Sequence, residues 1–307
     1  KAGVDPVEFR RSNFHRDEDY PLTTVGGYAA KSMSLHRCLD ACVDIMDYDA
    51  LRTDQAQARE ANVYRGVGVA TFVEAAAFGP VYYGPSGARV STQDGCTVKL
   101  EPSGVVRCMT SVTDQGQGTL TGIAQIVADQ LGIGMDDIDV ISGDSATTPY
   151  GGGAWASRGM AMGGEAALQA GKALKANILD LAASILQTTA DTLTLGGGEI
   201  RDVATGEARM DLAELAKVGY FRQDTLPTGT QPELMVTRHH VPNTPYYVAN
   251  GVQGAQVEID IETGFIKLLG WWMADDCGRV VNPLMVDEQI RGGIIQGIGN
   301  TLYEHSQ

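Results

Sequence analysis

The chain has 307 residues, 43% hydrophobic and 20% charged, which is enough apolar sequence for a substantial core and too much for a disordered chain. Its formal net charge of −15 argues against nucleic acid or an anionic membrane as a partner, so a phosphate-bearing ligand would have to be held by local backbone N–H groups. No apolar run approaches ~20 residues, so no transmembrane helix is expected, and no signal peptide is expected either.

The five cysteines (Cys38, Cys42, Cys96, Cys108 and Cys277) form no CxxC pair and no regular framework. They read as reduced, cytoplasmic thiols, too scattered to ligate an iron–sulfur cluster within this chain. The five histidines (His15, His36, His239, His240 and His305) show no zinc-site spacing. A protein-ligated zinc site is therefore not expected.

In chain order, DPVEFRRSN (5–13) predicts a short helix with Asp5 as N-cap, Pro6 at its first position and Glu8 three residues on from the cap. Residues 34–61 follow a helical pattern, with Leu35, Leu39, Cys42, Ile45 and Met46 on one face and Cys38 sharing a face with Cys42. GVGVATFVEAAA (66–77) reads as a buried strand. Its Glu74, a carboxylate among Ala and Val, needs a partner or a role. Strands at 88–92, 96–100 and 105–113 are separated by the turn signals Asp94-Gly95 and Pro102-Ser103-Gly104, which predicts an antiparallel meander.

The next stretch, DQGQGTLTGIAQIVADQLG (114–132), is the most informative in the chain. Gly116 and Gly118 open an amphipathic helix, and Thr119 and Thr121 lie near its start, where N–H groups and the positive end of the helix dipole face outward. On these residues alone two readings stand: a tight strand-to-helix turn, or a seat for a phosphate or pyrophosphate, with the Gln117 amide facing a heterocycle. A short strand at 138–141 follows. A glycine-rich loop (149–153) then leads into a long small-residue helix over 160–188. Residues 192–220 read as a small strand and helix region. Strands are predicted at 234–239, 250–261 and 265–274, the last two joined by the turn Glu262-Thr263-Gly264, and an amphipathic helix at 284–303. The fold class is α+β. The expected division is a helical lead-in (1–65) and a main domain (66–307) with subregions of about 66–190 and 191–307.

Four segments in this order carry a resemblance: DPVEFRRSN (5–13), TDQGQGTLTGIAQIVADQLG (113–132), TPYGGGAWASRG (148–159) and DDCGRVVNPLMVDEQIRGGIIQGIGNTLYE (275–304). Together they resemble the molybdenum-binding large subunit of the xanthine oxidase and aldehyde oxidase family, in the bacterial branch that includes carbon monoxide dehydrogenase large chains. The resemblance implies a molybdenum ion held by molybdopterin, in its cytosine dinucleotide form, with no side-chain ligand from the protein. It also implies iron–sulfur clusters and FAD on partner domains or on small and medium subunits.

By position, the resemblance implies cofactor contacts from Gln115, Gly116, Gln117, Gly118, Thr119 and Thr121. A second loop of Gly152, Gly153, Ala156 and Ser157 would lie near the metal and pterin. Ser157 can equally cap the next helix, and Arg158 is either a phosphate partner or an exposed salt bridge. Phe72 and Glu74 fall where the family lines its substrate funnel; Phe72 is a core ring or a stacking platform. Residues 78–87 would form a loop over that funnel, with Tyr82 and Tyr83 touching substrate or another subunit.

The remaining motifs receive structural readings. Gly292, Gly293, Gln296, Gly297 and Gly299 are expected to allow close helix packing, with a direct cofactor contact as the alternative, Asp275-Asp276-Cys277 to form a strand-end motif with a packed thiol, and His239-His240 to lie at the surface or in a turn.

The family's general-base glutamate, in a GxGE motif, does not occur before Gln307. No catalytic residue is therefore assigned in this chain. The Lys1 start and the missing motif predict a piece of a longer large subunit, inactive alone, whose parent hydroxylates an aldehyde or N-heterocycle with water as the oxygen source. The alternatives are a natural half of a split subunit, a carbon monoxide dehydrogenase-type enzyme, or a non-catalytic assembly domain.

Overall fold

A computed structural model describes residues 3–25, 27–87 and 89–305. Lys1 and Gln307, which carried the expectation about the chain ends, lie outside the described residues, as does Ala88 at the start of the predicted 88–92 strand.

The elements run as follows: α1 (Pro6–Asn13), β1 (Leu22–Thr23), β2 (Ala29–Ala30), α2 (Leu35–Met46), α3 (Tyr48–Glu60) and β3 (Tyr64–Ala76). Next come α4 (Pro80–Tyr83), β4 (Asp94–Leu100), β5 (Val106–Thr110), α5 (Thr119–Leu131), β6 (Ile138–Ile141) and α6 (Glu165–Leu186). The chain closes with β7 (Leu193–Gly196), β8 (Glu199–Asp202), β9 (Ala208–Asp211), α7 (Leu212–Phe221), β10 (Met235–His240), β11 (Tyr247–Ile259), β12 (Ile266–Asp276) and α8 (Pro283–Leu302). The α+β expectation holds. Two compact units result, each built from separated stretches. The first comprises 1–75, 248–280 and 290–307, the second 76–247 and 281–289.

In the first unit the sheet order is β12-β11-β3, and α2 supplies its core. Asp5 caps α1 by accepting from the Val7 and Glu8 N–H groups, and its second oxygen accepts from the Tyr48 hydroxyl at 2.8 Å. Cys38, Leu39, Cys42 and Met46 of α2 are buried with Val7, Tyr48 and Val252. Ile45 is 56% exposed, because its position falls off that stripe. Gly254 lets the helix approach β11, since a Cβ there would lie 2.7 Å from the Met46 sulfur. The predicted 34–61 helix breaks at Asp47, which turns the chain in the left-handed region at φ 50°. β3 is half-exposed along most of its length, not buried.

In the second unit a four-stranded sheet has the order β10-β4-β5-β6; β10, β4 and β5 are antiparallel, while β6 runs parallel to β5. One side packs against α5 and α6, burying Val98, Leu100, Val106, Ile123, Val127, Leu174 and Ile178 completely. β7, β8 and β9 form a small antiparallel sheet. Residues 89–92 are not a strand. Asp94-Gly95 is not a turn but the start of β4, because the two residues pair with His240 and His239 of β10, and the His239 ring and Pro149 leave no room for a Cβ at Gly95. The predicted strand over 105–113 ends at Thr110. The helix predicted over 160–188 begins with a π-helical turn at Gly159–Gly164, and α6 proper starts at Glu165.

Several other expectations are corrected. His239 and His240 belong to β10, so the turn alternative falls, while the surface alternative holds for His239, which is exposed; His240 is half-buried. Cys277 is exposed rather than packed. Among the described residues, a Cβ added at Gly292, Gly293 or Gly297 of α8 would meet nothing within 4 Å, and one at Gly299 would meet only the Glu304 side chain. Among the described residues, no helix is long and apolar enough to cross a membrane, and no group of three or more His, Cys, Asp or Glu could hold a metal ion.

Candidate functional site: two glycine loops on a buried ion pair

The two loops singled out by sequence lie together in the second unit. The first follows β5 and opens α5. Gly116 and Gly118 have φ values of 102° and 79°, a region costly for any residue with a Cβ. The loop is organised by Asp114, whose carboxylate accepts from the N–H groups of Gly116 at 2.8 Å and Leu120 at 3.0 Å. Desolvation pushes the Asp114 carboxyl up, but backbone hydrogen bonds from Leu120, Gly116, Gly118 and Thr119 outweigh it, leaving the group below the usual carboxylate range.

This corrects the reading of the helix start as a free seat for an anion. Its N–H groups already face the protein's own carboxylate. Gln117 is also engaged, accepting from Gln115 N–H at 2.6 Å and donating to the Thr113 carbonyl at 3.0 Å. Thr119 is buried and Thr121 half-buried, whereas Gln115 and Gly116 are exposed. A Cβ at Gly116 would meet nothing within 4 Å, but one at Gly118 would overlap the Met285 sulfur. Gly116 therefore faces open space, while Gly118 is required by packing.

Asp114 also sets a pH dependence. Its folded pKa is depressed, so the stability it contributes is present above the unfolded value and is lost as pH falls through the folded value. Asp114→Ala is expected to cost about 1 kcal/mol near neutral pH, the usual effect of losing a helix cap. It should also flatten the acid limb of a thermal-stability profile below about pH 4. An acid limb identical to wild type would show that Asp114 does not hold the loop.

The second loop spans 149–158. A Cβ at Gly151 would overlap Ser111, and one at Gly152 would overlap the Arg158 guanidinium. Gly153, at φ 77°, has only the Thr113 hydroxyl nearby, 3.9 Å from where its Cβ would be. Ala156 and Ser157 are consecutive left-handed non-glycine residues at φ 51° and 53°. Such backbone persists only where the surroundings over-determine it. Here the Ala156 carbonyl accepts from Ala77 N–H at 2.7 Å, and Trp155 Nε1 donates to the Gly152 carbonyl at 2.9 Å. Ser157 is exposed.

Beneath this loop lies a constellation that sequence reasoning missed. Asp94 and Arg158 are 0% and 1% exposed. Asp94 Oδ2 accepts from Arg158 Nε at 2.7 Å, and its Oδ1 accepts from the Ser111 hydroxyl at 2.8 Å and Gly152 N–H at 2.9 Å. Arg158 Nη1 and Nη2 donate to the carbonyls of Ser91 and Gln93, both at 2.8 Å, and the guanidinium stacks 4.9 Å from the Trp155 ring centre. Arg158 is thus neither an exposed salt bridge nor available to a phosphate.

Residues 78–87 form one helical turn, α4, followed by a 3-10 turn, not an open loop. Phe78, Tyr82, Tyr83, Tyr246 and Trp155 cluster there, with Phe78–Tyr82 centroids 4.7 Å apart and Tyr83–Trp155 5.9 Å apart. In the first unit, Phe72 packs against Gly251, whose added Cβ would lie 2.6 Å from the ring. Glu74 is exposed, so burial does not demand a partner for it. Asp275 is raised by burial first and then by its neighbours Asp276 and Glu74. Asp276 closes the strand-end motif, accepting from the Ser34 hydroxyl and from Gly278 N–H.

The chain is 33% identical over 304 residues to the nicotine 6-hydroxylase large subunit of Paenarthrobacter nicotinovorans, covering 99% of this chain and 37% of that protein. It is 31% identical to the carbon monoxide dehydrogenase large chain of Hydrogenophaga pseudoflava, covering 97% and 37%. Its fold superposes on quinoline 2-oxidoreductase from Pseudomonas putida 86 with a TM-score of 0.87 at 32% identity, covering 97% of this chain and 38% of that one. The chain therefore spans little more than a third of the length of the relatives it matches. Residues 41–307 match the family described as "Molybdopterin cofactor-binding domain", and the chain belongs to that family.

Proposed function

We propose that this chain cradles the molybdenum–molybdopterin cofactor, in its cytosine dinucleotide form, within the large subunit of a cytoplasmic molybdenum hydroxylase. The observation that carries this reading is the pair of adjacent loops whose left-handed glycines, Gly116 and Gly153, open onto space that a side chain would fill. That space suits a ligand gripped by backbone rather than by charge, in a chain of net charge −15. Gln115 and Gly116, with the half-buried Gln117 and Thr121, form one wall, and Gly153, Ala156 and Ser157 the other, while Gly118, the buried Thr119 and Gly152 shape the two loops from behind. When bound, the cofactor supplies a two-electron acceptor for hydroxylating a carbon centre with water as the oxygen source.

Phe72 and Glu74 of the first unit line the substrate funnel in this reading. The substrate is an N-heterocycle or an aldehyde, and relatives named for nicotine and quinoline support the heterocycle. Similarity to a carbon monoxide dehydrogenase large chain supports carbon monoxide oxidation as the second reading. The partners are the rest of the large subunit, an iron–sulfur small subunit and an FAD medium subunit.

The test is molybdenum and pterin content of the whole large subunit purified with its partners. Gly116→Val and Gly153→Val are each expected to lower molybdenum per chain about tenfold or more, because a side chain occupies the space meant for the ligand. Undiminished molybdenum in both variants would overturn the cradle.

A further inference from the structure

Asp94 and Arg158 lie under the second loop with every charged atom turned toward protein partners. Asp94 Oδ1 holds Gly152 N–H and the Ser111 hydroxyl, while Oδ2 holds Arg158. The guanidinium fork ties to the Ser91 and Gln93 carbonyls. A buried ion pair is weak support for stability alone, since an apolar pair of similar volume is often as stable or more so. The charged pair instead offers fixed, directional anchors at both ends of one loop: Gly152 near its start and Arg158 at its end. Arg158 immediately follows the left-handed Ala156-Ser157 turn, so locking its side chain leaves that strained backbone no freedom to relax.

We infer that Asp94 and Arg158 are positioning residues whose buried pair holds the Gly152 backbone and the Ala156-Ser157 turn in the shape that receives the cofactor. Retention of the cofactor then depends on two charges that need not touch it, as the outer partners of a metal site govern affinity through the groups they orient. The inference rests on the proposed function.

It is tested in the whole large subunit with its partner subunits, using Asp94→Leu, Arg158→Met and the double variant. Molybdenum per chain is measured by inductively coupled plasma mass spectrometry, released pterin by fluorescence, and folding by thermal unfolding. Each single variant should lose both stability and molybdenum. The double variant should regain part of the thermal midpoint, since no charge is left stranded although the Ser91 and Gln93 carbonyls and Gly152 N–H stay unpaired, yet hold about tenfold less molybdenum per folded chain than wild type, because the directional anchors stay lost. Molybdenum restored together with stability would overturn the inference and leave the pair purely structural. Should the double variant not fold, Arg158→Lys decides: it keeps the charge but not the fork, and wild-type molybdenum content in it would overturn the inference. Wild-type complex lacking molybdenum and pterin would instead overturn the proposed function.

Discussion

Arg158→Met is expected to destabilise the second compact unit by about 3–5 kcal/mol, the cost of stranding one member of a buried ion pair. The substitution leaves the Asp94 carboxylate, 0% exposed, without a counter-charge, and removes the donors to the Ser91 and Gln93 carbonyls. Methionine fills much of the volume of the arginine stem, so the loss is electrostatic and hydrogen-bonding rather than a cavity. A matched control exists at the surface. Arg222 pairs with Asp224 at 3.2 Å, but the two side chains are 60% and 69% exposed. Water screens such a pair, and Arg222→Met is expected to change stability by less than about 1 kcal/mol. Denaturant titration of both variants against wild type decides the matter. Equal effects at the two sites would show that burial gives Arg158 no special weight.

Local chemistry was legible in the sequence at several places where one short segment contained both partners of an interaction. Asp5 and Pro6 define α1 within four residues, and the turn Glu262-Thr263-Gly264 joins β11 to β12, with Gly264 at φ 74°. Cys38 and Cys42 were readable as sharing a face because helical spacing is short-range. The two loops were likewise visible as glycine-rich interruptions.

The sequence was opaque where the deciding partner is distant or where a residue adopts an unusual backbone. Asp94 and Arg158 lie 64 positions apart, and in Ala-Ser-Arg-Gly nothing marks the arginine as buried. Asp94-Gly95 has the letters of a turn, yet Gly95 is a strand residue because it pairs with the distant His239 of β10, whose ring leaves no room for a Cβ there. Asp47 turns left-handed without a glycine to announce it, so one predicted helix became two. Asp114 was the subtler miss. Its position two and six residues before Gly116 and Leu120 was readable, but its capture of the helix start became apparent only from the fold.

Gly118→Ala is expected to cost about 2–4 kcal/mol for two separable reasons. The first is backbone: at φ 79° an alanine pays the left-handed penalty of about 1–2 kcal/mol. The second is steric: its Cβ overlaps the sulfur of Met285, a half-buried side chain in the first turn of α8. Asn282 anchors that turn by accepting from Met285 N–H at 3.1 Å and donating to Gln125 of α5 at 2.8 Å, so relief of the overlap has to come from the Met285 side chain and not from the turn. Truncating the sulfur arm should remove the second cost and leave the first. Stability of Gly118→Ala, Met285→Ala and the double variant, measured by denaturation, forms a cycle in which the two substitutions couple favourably by about 1 kcal/mol or more. Strict additivity would mean that Met285 moves freely and that Gly118 answers to backbone conformation alone. Gly116→Ala provides the contrast. With φ 102° and no neighbour within 4 Å of an added Cβ, it should carry only a backbone cost in the free protein. A loss of cofactor at Gly116 therefore reports on the ligand, whereas the same loss at Gly118 is confounded by the packing of α5 against the start of α8.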